Sequence, residues 1–245
     1  MRKGSHMDHG DRFSQPPSAP QAWLFVFVAL LGTVAIAGAQ APASGQQKLV
    51  PIPIVLPQPK FEGTPRNLKV PNLEKPRFKA REPFLAPEGV KNTARRKKVV
   101  SSEAAPVVGE LDMITDGDRS GEEWSYVELG PGGQHVTVDL GMPHEIYAIL
   151  FWHFHNSARV YFDVVVQVAD DPAFTKNVRT VFNNDHDNSS GLGAGKDLNY
   201  IETSEGRLVD GKGGIARYVR LYSNGSNANA LNHYVEVEVF GRPAR

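Results

Sequence analysis

Hydrophobic and polar positions follow three rhythms along the 245-residue chain. Ala22 to Ala39 runs eighteen positions without a charge. From Gln40 to Val100 apolar side chains recur with no period and are broken by ten prolines. From Gly109 onward the period becomes two. Gln134–Leu140 alternates strictly, which predicts Val136, Val138 and Leu140 inward before a turn at Gly141-Met142-Pro143. The nearly continuous apolar run Ile146–Phe154 predicts a central strand covered on both faces. Val160–Ala169, closed by the turn residues Asp170-Asp171-Pro172, and Val178–Phe182, Ala216–Tyr222 and Tyr234–Phe240 predict further strands. In the last, Val235, Val237 and Val239 face one way and Glu236 and Glu238 the other. No helical period extends beyond a turn near Asp171–Asn177. The pattern predicts an all-β, antiparallel two-sheet sandwich or jelly roll over residues 101–245, preceded by an extended Pro-rich arm.

The first two segments read as an address and a strap. Arg2, Lys3 and Arg12 precede the apolar run, and Ala37-Gly38-Ala39 gives the small-x-small pattern of a cleavage site, so residues 1–39 are expected to be a signal peptide. Eighteen helical residues span roughly 27 Å, so a retained membrane anchor is the alternative. Either places the body outside the cytoplasm, secreted or in the periplasm or cell envelope. In residues 40–100 the prolines forbid helix and central strand and favour extended chain. Val50, Ile52, Ile54, Val55, Leu56, Phe61, Phe78, Phe84 and Leu85 are more apolar groups than a free linker needs, which favours partial docking onto the body over a free spacer.

Charge sharpens this division. Lys+Arg and Asp+Glu balance at 27 each, but Ala41–Val100 holds 13 basic and 4 acidic residues while Ser101–Arg245 holds 11 and 21. The basic run Arg95-Arg96-Lys97-Lys98 suits a solvated cluster, an anionic envelope surface, a protein partner or the acidic body itself. A nucleic-acid role is not expected of an exported chain. The absence of cysteine excludes disulfides, Cys-ligated metals and thiol catalysis.

Three motifs in order are recognisable. Ile114-Thr115-Asp116-Gly117-Asp118 with Trp124 and Val138-Asp139-Leu140-Gly141, then Ala216-Arg217-Tyr218-Val219-Arg220-Leu221, then Glu236-Val237-Glu238-Val239-Phe240-Gly241, resemble the discoidin (coagulation-factor type C) domains. The resemblance covers about 135 residues, Gly109–Arg242, and implies a galactose-binding-like jelly roll. It also implies glycan or polysaccharide recognition and a structural calcium ion held by Asp116, Asp118 and Ser120 with Glu236 or Glu238. The cysteine pair common in animal members is missing, which favours the bacterial sugar-binding branch.

The residues offer further chemistry. Asp185, His186 and Asp187 lie in an Asn- and Gly-rich loop that begins like a calcium loop, but Gly191 falls one place late and Lys196 stands where the bidentate Glu belongs. That loop suits sugar hydroxyls or simply caps itself. His153 and His155, two apart, can open a zinc or copper site completed by His186 or His233, or serve as hydrogen-bonded structural groups. Trp152 offers a stacking platform or belongs to the core, and Asn156 ends the same strand. Asn224, Asn227 and His233 lie in a loop fit to be a ligand rim, and Arg220 suits an acidic substituent. No serine-nucleophile, phosphate-loop or HExxH pattern is present, so a non-catalytic carbohydrate-binding module is expected. Two alternatives stand beside it: an envelope assembly protein that docks through its arm, and a His-based metal protein.

Overall fold

The computed structural model describes residues 47–61, 67–77 and 79–245. The expected signal peptide, the start of the arm and Phe78 lie outside the described residues. In chain order the strands are β1 (Leu49–Pro51), β2 (Leu85–Pro87), β3 (Lys91–Asn92), β4 (Lys98–Ser101), β5 (Val127–Leu129) and β6 (Gln134–Trp152). They continue as β7 (Val165–Ala169), β8 (Arg179–Asn183), β9 (Arg207–Ser223), β10 (Asn232–Tyr234) and β11 (Glu236–Pro243). The one helical element among the described residues is a short 3-10 turn, Leu111–Thr115.

All pairings between named strands are antiparallel. β6 and β9 are long enough to run through both layers. Their register shifts between Asp139 and His144, where the predicted turn is a bulge with Gly141 at φ 86° rather than a strand end. The first half of β6 pairs with β4 and with the second half of β9, which continues to β7 and β8. The second half pairs with β11 and the first half of β9, and β3 closes that edge. Val136, Val138 and Leu140 from one layer meet Ile149, Phe151, Val237 and Val239 from the other in a single core. The all-β sandwich is therefore present, with two differences in extent. Residues 160–164 are irregular ahead of β7, and Asp171–Asn177 forms turns without a helix.

The apolar run of β6 is covered on both faces, and the second cover is the Pro-rich segment. Ala148, Leu150 and Trp152, with Val235 and Phe240, pack against Ile52, Ala86 and Val90. β1 pairs with β2, and Ile52 N–H donates to Phe84 O at 2.9 Å, so the strap forms a small ribbon over the sheet. Thr93 N–H to Val239 O (2.7 Å) and Glu74 N–H to Asn199 O (2.8 Å) stitch it down elsewhere. Leu49, Val55, Leu56 and Leu85 stay exposed, so the docking is partial. Burying one Ile side chain such as Ile52 is worth about 1.5–3 kcal/mol. The compact unit runs from Gln46 to Arg245, so the described part of the arm and the sandwich share one body.

Candidate functional site

The strand β6 ends at Trp152, and the next residues enter the interior. Trp152 is fully buried, with Nε1 donating to Ser204 O at 3.0 Å, so it presents no ring to a ligand. His153 is also buried; its Nδ1 lies 2.7 Å from Glu202 Oε1 and its ring stacks on Tyr161 at 4.4 Å. Tyr161 Oη donates to His233 Nδ1 (2.9 Å), and His233 Nε2 lies 3.0 Å from Glu128 Oε2. Burial, with the charges of Arg159 and His153, pushes His233 down to about 4, so the imidazole in this relay is neutral at pH 7. His155, buried as well, donates from Nε2 to Arg119 O at 2.8 Å.

His153 and His233 therefore share the Tyr161 side chain, and His155 makes its own bond to the Arg119 carbonyl. His186 sits on the Asn183–Gly195 loop, and no three-residue group containing histidine converges among the described residues. The zinc or copper reading loses its geometry.

The other expected ligand residues are also spent within the fold. Asp185 is buried and accepts from Ser189 N–H, Ser190 N–H and the Ser190 hydroxyl. Asp187 accepts from Ser189 N–H at 3.0 Å. Asn224 Nδ2 and Ser189 Oγ both donate to Asp163 Oδ2 at 2.9 Å. Asp163, Asp185 and Asp187 have oxygens within 4.8 Å of one another, yet each already takes donors from the loop. Arg220 bonds Thr137 Oγ1 and Pro172 O and lies 3.9 Å over the Phe174 ring. Asn227 accepts from Val160 N–H at 2.8 Å through Oδ1 and remains exposed.

What remains at this end of the sandwich is the loop from Arg119 to Tyr126. It is pinned on one side by His155 and by Asn156 Nδ2, which donates to Gly121 O at 2.5 Å. On the other side Tyr126 packs edge-on against Phe154 at 5.4 Å. Between the two anchors stands Trp124, 71% exposed and at φ 70°. A bulky residue in the left-handed region is a backbone outlier, and an exposed indole forgoes its burial energy. Strain of this kind clusters at functional positions. Arg159 stacks 4.3 Å over Phe154 beside this loop, with Nε and Nη1 buried and unpartnered. Trp124 stood in the sequence only as a motif residue and Arg159 carried no signal, since neither burial nor backbone angle can be read from residue type.

The opposite face of the same loop meets β11. Glu236 Oε2 accepts from Gly117 N–H at 2.9 Å and Glu238 Oε1 from Arg119 Nε at 2.9 Å. Glu236 Oε1 and Glu238 Oε2 are buried without partners. Burial, reinforced by the charges of Glu238 and Asp116, pushes Glu236 up to about 9 against the Gly117 bond; burial also raises Glu238. These two orphaned oxygens are hard donors of the kind calcium takes, but Asp116 does not converge with them into a three-ligand group among the described residues, and the Arg119 guanidinium already neutralises Glu238. Asp116 Oδ1 accepts from Asp118 N–H and Asp118 Oδ1 from Ser120 N–H, so these residues shape the loop that would cover a bound ion. The Arg95 guanidinium packs directly on Gly117, which gives one member of the basic run a seat against this loop.

No family model and no curated protein matches the chain. Among solved structures, it is similar to a CBM32 module of Clostridium perfringens in complex with GlcNAc-α-1,4-galactose. Identity there is 17%, covering 63% of this chain and 96% of that one, with a TM-score of 0.47. It is also similar to chitosan-binding module 1 of a Paenibacillus chitosanase/glucanase (19%, 61% and 98%, 0.41). A third is the CBM32 of AlyQ in complex with 4,5-unsaturated mannuronic acid (21%, 58% and 93%, 0.40). At these values none of them sets what this chain binds.

Proposed function

We propose that this chain is a non-catalytic carbohydrate-binding module that engages glycan at the end of the sandwich displaying Trp124. The observation that carries the reading is Trp124 itself, exposed and strained on a loop anchored by Asn156 and Phe154. An indole face offers apolar contact to the C–H face of a pyranose, while nearby polar groups take its hydroxyls. The discoidin-like motifs support the same reading, as does the use of Asp185, Arg220 and the histidines as scaffold. We further propose export, from the Ala22–Ala39 run, and a structural calcium drawn to the unpartnered oxygens of Glu236 and Glu238 beside the Asp116–Ser120 turn. The strap's seat is filled by its own chain, which favours this module over assembly through a neighbour's sandwich. A glycan array followed by calorimetry is the test: wild type binds a neutral oligosaccharide and Trp124→Ala does not. Equal binding by the two proteins refutes the site.

A further inference from the structure

Lys75, Arg77, Lys79 and Arg81 occupy every second position of the strap. These four border two adjoining cavities that the strap forms with residues 200–208, one of about 160 Å³ and one of about 240 Å³. Lys75, Arg77 and Lys79 line one cavity and Arg77 and Arg81 line the next. Arg207 of β9 supplies a fifth cation from the sandwich side. Against them stand two carboxylates: Arg77 Nη2 lies 3.2 Å from Glu205 Oε2, and Arg207 Nη1 lies 3.0 Å from Glu74 Oε2. Arg81 donates instead to the carbonyls of Glu205 (2.7 Å) and Gly206 (3.1 Å), which leaves its charge without a carboxylate bond. Among the described residues Lys75 and Lys79 make no ion pair, and both are exposed. Tyr200 Oη and Arg207 Nε are buried and unpartnered where they line the larger cavity. The burial of Arg81, with Arg77 and Arg207 near it, lowers its pKa although Glu205 opposes the shift.

Five cations against two carboxylates, spread over two adjoining cavities, make a site for several negative charges rather than for one ion. Glu74, Glu205 and Thr203 add hydrogen-bond acceptors between the cations. Such acceptors suit a polymer rich in hydroxyl groups and are of no use to a DNA phosphodiester backbone. We infer that the Lys75–Arg81 ladder and Arg207 form a second binding surface, for an acidic polysaccharide bearing carboxylate or sulfate on its repeating units. That the polymer is a glycan rests on the function proposed above; the cationic surface does not.

The test is calorimetry on the full chain with polygalacturonate, dextran sulfate and a thymidine oligonucleotide, at 50 and 300 mM NaCl. Lys75→Gln/Lys79→Gln alters exposed side chains that form no ion pair among the described residues, and Arg77→Gln is the second variant. Wild type binds polygalacturonate or dextran sulfate at 50 mM salt and weakens at 300 mM. The double variant binds about tenfold more weakly with an unchanged melting temperature and a shallower salt dependence. Trp124→Ala retains this polyanion binding while losing neutral oligosaccharide, so failure at one surface is separable from failure at the other. No polyanion binding by wild type, undiminished binding by the double variant and Arg77→Gln, or equal affinity for the oligonucleotide overturns the inference.

Discussion

Gly206 lies so close to Trp152 that a Cβ on it would sit 2.7 Å from both Cε2 and Nε1 of the indole. Its φ of 63° adds a second reason for glycine, since any side chain there is strained. Gly206→Ala is therefore expected to cost about 2–4 kcal/mol, from overpacking plus the left-handed penalty. A lowered urea midpoint checks this; an unchanged one contradicts the packing of Trp152.

Trp124 inverts that logic. Its φ of 70° suits glycine, and its exposed ring contributes little to the core. Trp124→Gly is expected to raise stability by about 1 kcal/mol while abolishing glycan binding. Thermal melts and oligosaccharide titration on the same protein separate the two effects.

The strap is predicted to be part of the folded state. Ile52→Ala removes a side chain buried against β6 and is expected to cost about 2–4 kcal/mol. Were residues 47–61 a free spacer, the denaturation midpoint would not move.

His233 gives a pH signature. Its folded pKa, about 4, lies below the ordinary 6.5, so its contribution is complete above pH 6.5 and lost as pH falls through 4. Tyr161, Glu128, Arg159 and His153 surround it; a hydrogen bond to the Leu231 backbone favours the charged form, and burial outweighs it. The loss amounts to roughly 3 kcal/mol across that window. Glu236, raised to about 9, contributes a slope of opposite sign when metal-free, stabilising as pH falls from 9 toward 4.5. The informative quantity is hence the difference between wild type and His233→Gln, which should shrink by roughly this amount between pH 6.5 and 4.

Calcium is expected to raise the melting temperature and EDTA to lower it, because the ion would partner Glu236 Oε1 and Glu238 Oε2. In Glu236→Gln the calcium response should vanish. A melt indifferent to both reagents removes the ion.

Alternation made much of the sandwich legible: Val136, Val138 and Leu140 point inward as their period requires, and so do Val237 and Val239, whereas Val235, just ahead of β11, packs in the other cluster with Trp152 and the strap. The run Ile146–Phe154 correctly announced two covered faces. Other features depend on contacts distant in sequence, which no local period encodes. Glu202 meets His153 across 49 positions, Arg119 meets His155 across 36, and these pairings turned expected ligands into scaffold. Residue type alone made Trp152 and Trp124 equivalent; the strap buries one, and a loop pinned at both ends displays the other.

The second cover of β6 also orders events at synthesis. Ile52, Ala86 and Val90 leave the ribosome before the β6 and β11 residues they pack on, and Phe240, part of their seat, follows Val90 by 150 positions. Until β11 emerges, that greasy ribbon lacks part of its seat. A nascent chain stalled short of β11 would carry it bare, which makes timely completion, or a chaperone's shelter, a condition of reaching the closed form.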